Sequence, residues 1–262
     1  MQARRSSRGP WLWPLLLAAI GVVLLLDNFL LLGDFNPTLL WPLLLVVIGA
    51  QILLRGDLLP GTQTQTFGVT RGSVEAAALE ISAGEIDVRI RSLQREGRLI
   101  AGQYAAQSRP QMTVEDTQAH ILMSRSATPW LSFSDWEMGL AQDLPWQIYI
   151  STHLGQVNLD LSDLILQEAV ITTGFGDLRC ICPYEALGPV RLQSALGAIQ
   201  VVTPVGYRTQ ITIDHSLFFG VHVDEQRYMQ IEPGVYVSLD APDDAPLVEL
   251  FISGTFGDTY LA

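Results

Sequence analysis

A hydrophobic block that writes one unit twice constrains this chain more than any other feature. The first copy reads Trp13-Pro14-Leu15-Leu16-Leu17, then Ile20-Gly21, then Leu25-Leu26-Asp27. The second reads Trp41-Pro42-Leu43-Leu44-Leu45, then Ile48-Gly49, then Leu53-Leu54-Arg55, at a constant offset of 41 − 13 = 28. A bilayer core takes roughly 20 apolar residues of helix, and unpaired backbone amides are too costly in lipid for any other open structure. The block therefore predicts a membrane α-hairpin within residues 1–56, with helices over about 11–32 and 39–54 and the turn Gly33-Asp34-Phe35-Asn36-Pro37 between them. Gly21 and Gly49 sit mid-helix, where a small residue lets two backbones approach, and Trp13 and Trp41 mark helix starts at the lipid interface.

Arg4, Arg5 and Arg8 precede the first helix and Arg55 follows the second, while the turn carries Asp34 and no Arg. By the positive-inside rule, the expectation is a multi-pass protein of the bacterial cytoplasmic membrane, with the N-terminus and the C-terminal domain both cytoplasmic. An Arg-rich start before an apolar run also fits a cleaved signal peptide. Here a second apolar helix follows at once, and no small-x-small site separates them.

Residues 57–73 are polar, with Pro60, Gly61 and a Thr-Gln-Thr-Gln-Thr run, and read as a linker. From 74 to 262 the signal is strand-like. Ala83 to Ile90 alternates apolar and polar residues strictly, as a half-buried strand does. Leu99–Ala106, Gln111–Val114 and His120–Ser124 read as further strands joined by hairpins. A repeat then emerges: Leu154-Gly155-Gln156-Val157, Phe175-Gly176-Asp177-Leu178, Leu196-Gly197-Ala198-Ile199, Phe219-Gly220-Val221, and a divergent Phe256-Gly257-Asp258. The glycines are spaced 176 − 155 = 21, 197 − 176 = 21 and 220 − 197 = 23. A period just above twenty, each unit with a Gly turn and an alternating strand, predicts a solenoid-like stack of short strands. Stacking would join Val157, Leu159, Leu178, Cys180, Ile199 and Val201 into one core. Short strands at regular spacing also suit an antiparallel β-sandwich, which is the alternative.

The chemistry-bearing residues are sparse. Net charge is −12, and all 15 basic residues are Arg, several of them before or beside the membrane block. An acidic domain does not suit nucleic acid, which asks for a basic stripe, nor an anionic lipid surface; a basic protein surface fits better. Cys180 and Cys182 alternate on one strand face and read as small buried hydrophobes, since no further metal ligands lie nearby. His120, His153, His215 and His222 form no ligand motif. No GxSxG elbow, GxGxxG or P-loop occurs, and nothing calls for a cofactor or metal. Asp160, Asp163 and Asp177 read as turn carboxylates that bond local backbone. The one stretch dense in large apolar side chains outside the repeat is 129–138. There Trp130, Leu131, Phe133, Trp136 and Met138 read either as a lid over one end of the stack or as a partner-docking site.

Two parts of the chain carry a family resemblance. The doubled Trp-Pro-Leu-Leu-Leu-x-x-Ile-Gly unit resembles the small membrane domain of LiaF-type cell-envelope stress proteins. The segments Asn158 to Leu164, Ile171 to Asp177, Cys182-Pro183 and Ala198 to Pro204 resemble the "toast rack" β domain of the same kind of protein. The resemblance implies a regulatory role, in which such proteins restrain a membrane histidine kinase, and no catalytic residues. The expected function is thus a non-enzymatic, membrane-anchored accessory protein of the cell envelope that modulates a membrane sensor through protein contacts. The alternatives are a structural β-solenoid that assembles into a homo-oligomer, and a carbohydrate-active enzyme with two facing carboxylates.

Overall fold

The structure is a computed structural model that describes residues 64–95, 97–105, 108–125, 135–214 and 216–262. The expected membrane hairpin, with Trp13, Gly21, Trp41 and Gly49, lies outside the described residues, as do Trp130, Leu131, Phe133 and His215. Among the described residues no helix is long and apolar enough to cross a membrane.

All regular structure described is strand. The first group is β1 Thr64–Thr70, β2 Ala76–Gly84, β3 Val88–Leu93, β4 Arg98–Ala105, β5 Gln111–Glu115, β6 Gln118–Ser124 and β7 Trp136–Ala141. Then come β8 Pro145–Leu154, β9 Val157–Asp160, β10 Ile165–Phe175, β11 Leu178–Ile181, β12 Glu185–Ala186, β13 Val190–Leu196 and β14 Ile199–Val202. The last are β15 Arg208–Asp214, β16 Phe218–Val223, β17 Tyr228–Glu232, β18 Val235–Ser238 and β19 Leu247–Leu261.

These strands form two parallel ladders that meet at a corner. One ladder runs β6, β2, β8, β10, β13, the first part of β19, then β15. The other runs β7, β3, β9, β11, β14, the last part of β19, then β16. Each layer is one strand from each ladder, with β2–β3, β8–β9, β10–β11 and β13–β14 turning the corner from one to the other, so the solenoid-like expectation is met in its architecture.

Antiparallel strands cover most of the ends. β5 pairs with β6, and the hairpin β17–β18 pairs with β15. On the other ladder β4 pairs with β7, and β1 with β4. The stretch read as a linker therefore contains β1. Its Thr-Gln-Thr run is polar because it forms an outer strand, while Phe67 and Val69 pack on the core. The single strand expected over Ala83–Ile90 is likewise two strands, broken between Gly84 and Val88, because the chain turns the corner there.

Every layer alone would expose its apolar side, and stacking covers it. Leu79, Ile148, Ala169, Val190, Leu250 and Ile211 form one in-register row, and Ile81, Ile150, Ile171, Leu192, Ile252 and Ile213 the next. The other ladder contributes Val88, Val157, Leu178 and Ile199, then Ile90, Leu159, Cys180, Val201 and Leu261. All of these are buried. β-Branched and leucine side chains repeated at the strand-to-strand spacing of about 4.8 Å pack into continuous ridges.

Candidate functional site

The corner is where the repeat shows its purpose. Gly155, Gly176, Gly197 and Gly257 stack there with φ of +142°, +139°, +147° and +126°. Their amides bond across layers: Gly155 N donates to Phe175 O at 3.0 Å, and Gly176 N to Leu196 O at 3.0 Å. A Cβ on Gly176 would lie 2.1 Å from the carbonyl oxygen of Gly155. Layers approach this closely only where no side chain stands between them. Asp87 and Asp177 reinforce the corner, accepting bonds from Gln156 N at 2.7 Å and Ala198 N at 2.9 Å in the next layer. Asp177 is thus a corner carboxylate as expected, but its partner is the next layer's backbone and not its own turn. The sequence period continues to Gly220, but the corner column does not. Gly220 lies inside β16 opposite Asp258, and the glycine above Gly197 is Gly257.

The residue before each corner glycine is large and apolar. Leu154, Phe175, Leu196 and Phe256 are in register from layer to layer, and Phe218 continues the row beside Phe256. The five are between 47 and 66% exposed, and Leu217 next to them is 97% exposed. Phe218 and Phe256 stack with ring centroids 5.2 Å apart. At about 4.8 Å per layer the row is roughly 19 Å long. An aligned, exposed apolar row of this kind is a candidate contact site. The periodic reading of the sequence contains Leu154, Phe175, Leu196 and Phe256 as repeat members without separating them from the core, and puts Phe219 where the structure has Phe218.

Of the stretch read either as a lid or as a docking site, the docking reading is corrected for two residues. Trp136 and Met138 belong to β7 and are 0% exposed, packed in register against Val88 and Ile90. They are core, because β7 is a full ladder strand rather than loop, and they cannot present a docking face.

On the outer face of the second ladder a groove of about 660 Å³ is lined by Asn158, Arg179, Gln200, Tyr260 and His222, with Asp177 and Asp224. His222 stacks on Tyr260 at 4.8 Å and meets Asp258 at 3.3 Å. Both lining carboxylates are engaged locally, Asp177 as above and Asp224 by Gln226 N at 3.0 Å. Among the described residues no group of three or more His, Cys, Asp or Glu is placed to hold a metal. Cys180 and Cys182 are free thiols buried in the core. Burial pushes the Cys180 thiol well up, and raises that of Cys182 to about 12 despite its contact with Thr203. Neither has the thiolate character that reactivity needs.

Residues 61–182 match the family described as the N-terminal domain of toast_rack, DUF2154. The match ends within the fourth corner layer, and the layers built from β13 onward continue the same stacking beyond it. Among solved structures, the chain is similar to that of a proposed cell adhesion protein from Clostridium sporogenes. The TM-score is 0.65 and the identity 17%, over 76% of this chain and 98% of that one. That likeness is one of fold. No curated protein matches the chain. The toast-rack resemblance read from the sequence is thus borne out over residues 61–182, which match the N-terminal toast-rack domain.

Proposed function

Starting from a toast-rack protein, we propose a non-enzymatic accessory role in which the β domain, anchored by the N-terminal hairpin, modulates a membrane sensor histidine kinase by direct contact. The domain would sit on the cytoplasmic side of the bacterial cytoplasmic membrane, as the arginine distribution favours. The observation that carries the reading is the corner row Leu154, Phe175, Leu196, Phe256 and Phe218, half exposed and aligned. Its length of roughly 19 Å equals that of about 13 residues of α-helix, so it fits the apolar stripe of one helix laid across the layers. The surrounding charge supports a basic partner. Residues 57–262 hold 11 of the 15 Arg and 25 of the 27 acidic residues, a net of 11 − 25 = −14.

The test places a photo-crosslinking amino acid at position 175 or 196 of the full chain in living cells. The expected result is an adduct with a sensor histidine kinase, lost when Phe256 and Leu154 are changed to Ser. Adducts with lipid alone, or with no kinase, would overturn the proposal.

A further inference from the structure

The two ladders do not end at the same level. The first continues past β15 with two more strands, β18 and β17. The second stops at β16, whose one strand register among the described residues is with β19. The hairpin therefore overhangs a notch beside β16, about 680 Å³ in volume, lined by Val221, Val223, Glu225, Tyr228, Met229 and Tyr236 among others.

The hydrogen-bonding direction of β16 follows from one bond. Asp224 N donates to Leu261 O at 3.1 Å. Strand residues alternate direction, so Gly220 and His222 also turn their amides towards β19. Val221 and Val223 then point both N–H and C=O into the notch. Their side chains face inward, in register with Thr259 and Leu261, so the notch repeats the environment of a ladder position without its strand.

We propose that this notch accepts an extended segment of another protein as an added strand on β16. The guest would carry apolar residues at alternate positions, directed at Tyr228 and Tyr236, with Arg or Lys between them. The backbone groups of Val221 and Val223 give affinity, as in strand addition generally. The sign of the guest follows from the rim. Glu225 lines the notch, with Asp224 just before it in the chain and Glu232 at the end of β17, whereas Arg227 is turned away to Thr203 O and Asp240. A second copy of this acidic chain would bring like charge to the same rim. The inference goes beyond the kinase-contact reading and does not depend on the corner row.

The probe is a short labelled peptide, Arg-Val-Thr-Val-Arg-Val, capped at both ends, titrated against the full chain in detergent. Binding is expected to protect the Val221 and Val223 amides from hydrogen exchange. It should weaken at least about tenfold with a peptide N-methylated on alternate residues, which lacks the donors but keeps the side chains. Val221→Pro should weaken it similarly, since a proline is tolerated on an edge strand where its amide serves no ladder bond. Glu225→Lys should weaken binding and reduce its dependence on salt. No binding, or binding indifferent to N-methylation, would overturn the proposal. So would amides of Val221 and Val223 already protected in the free protein in a concentration-dependent way, the mark of a second copy in the notch.

Discussion

Replacing Gly176 by Ala tests whether the glycine column is what permits the layers to stack. The backbone there has φ of +139°, and the new Cβ would stand 2.1 Å from Gly155 O and 2.8 Å from Gly155 C. Neither contact is with a flexible side chain, so the layers must separate or the turn must change. Holding an alanine in this conformation costs about 1–3 kcal/mol. Separating the layers also weakens the bonds Gly155 N to Phe175 O and Gly176 N to Leu196 O, each contributing about 1 kcal/mol. The expected loss is about 3–5 kcal/mol, a large part of a total stability of roughly 5–15 kcal/mol. Gly72→Ala is the control. Its φ is +58° with nothing within 4 Å of the added Cβ, so it should cost about 1–2 kcal/mol from conformation alone. Urea unfolding followed by pulse proteolysis of the full chain separates the two. At about 2–3 kcal/mol per molar urea, Gly176→Ala should lower the midpoint by about 1–2.5 M and Gly72→Ala by about 0.3–1 M. Equal shifts would show that the cross-layer contact at the corner is not what requires glycine.

Trp136→Ala should cost about 3–5 kcal/mol, because its side chain is wholly buried against Val88; a stability within experimental error of wild type would return it to the surface. Alkali should destabilise the domain. The Cys182 thiol is raised from 9.0 to about 12 by burial, so between those values the unfolded chain loses a proton that the folded chain keeps. Stability is then full below about pH 9 and falls as pH rises towards 12, by up to about 4 kcal/mol. Tyr228, also raised to about 12, adds in the same direction. The slope of melting temperature against pH above 9 should flatten in Cys182→Ala; an unchanged slope would refute the assignment.

Much of the stack is legible in the chain itself. The 21-residue period placed Gly155, Gly176 and Gly197 in one column, and the alternation after each glycine identified the inner rows of β9, β11 and β14. The corner row was hidden for a specific reason. In β8 the inward residues are Trp146, Ile148, Ile150 and Thr152, so alternation assigns Leu154 to the core as well. The bend at Gly155 intervenes and leaves it half exposed. The same parity holds for Phe175 after Ala169, Ile171 and Thr173, and for Leu196 after Val190, Leu192 and Ser194. A period of two describes a straight strand, and these residues sit where the strand stops being straight. For Trp136 and Met138 the aromatic density left lid and docking site both open, while their spacing of two already matched a buried strand.

Stacking order is the part that local pattern could not supply. Chain order suggests that β15 and β16 follow β13 and β14 directly, as the Gly220 spacing implied. Instead β19 lies between them, pairing with β13 and β14 on one side and with β15 and β16 on the other. The reason is visible in β19 itself, which runs Leu247–Leu261 through the corner without a break. Its Leu250 and Ile252 fill the inner rows of the first ladder, and Thr259 and Leu261 those of the second. Such a strand is buried on its inner side along both arms, with the Thr259 hydroxyl bonded to Ile199 O, and suits a site with a neighbour above and below. β16 by contrast offers Val221 and Val223 only partly covered, and with His222 and Phe218 outward it suits a boundary. Placing the better-buried strand inside and the weaker one outside lowers the apolar area left at the end of the stack. It also fixes where the open edge falls: on β16, beside the overhanging hairpin, and not on the C-terminal strand.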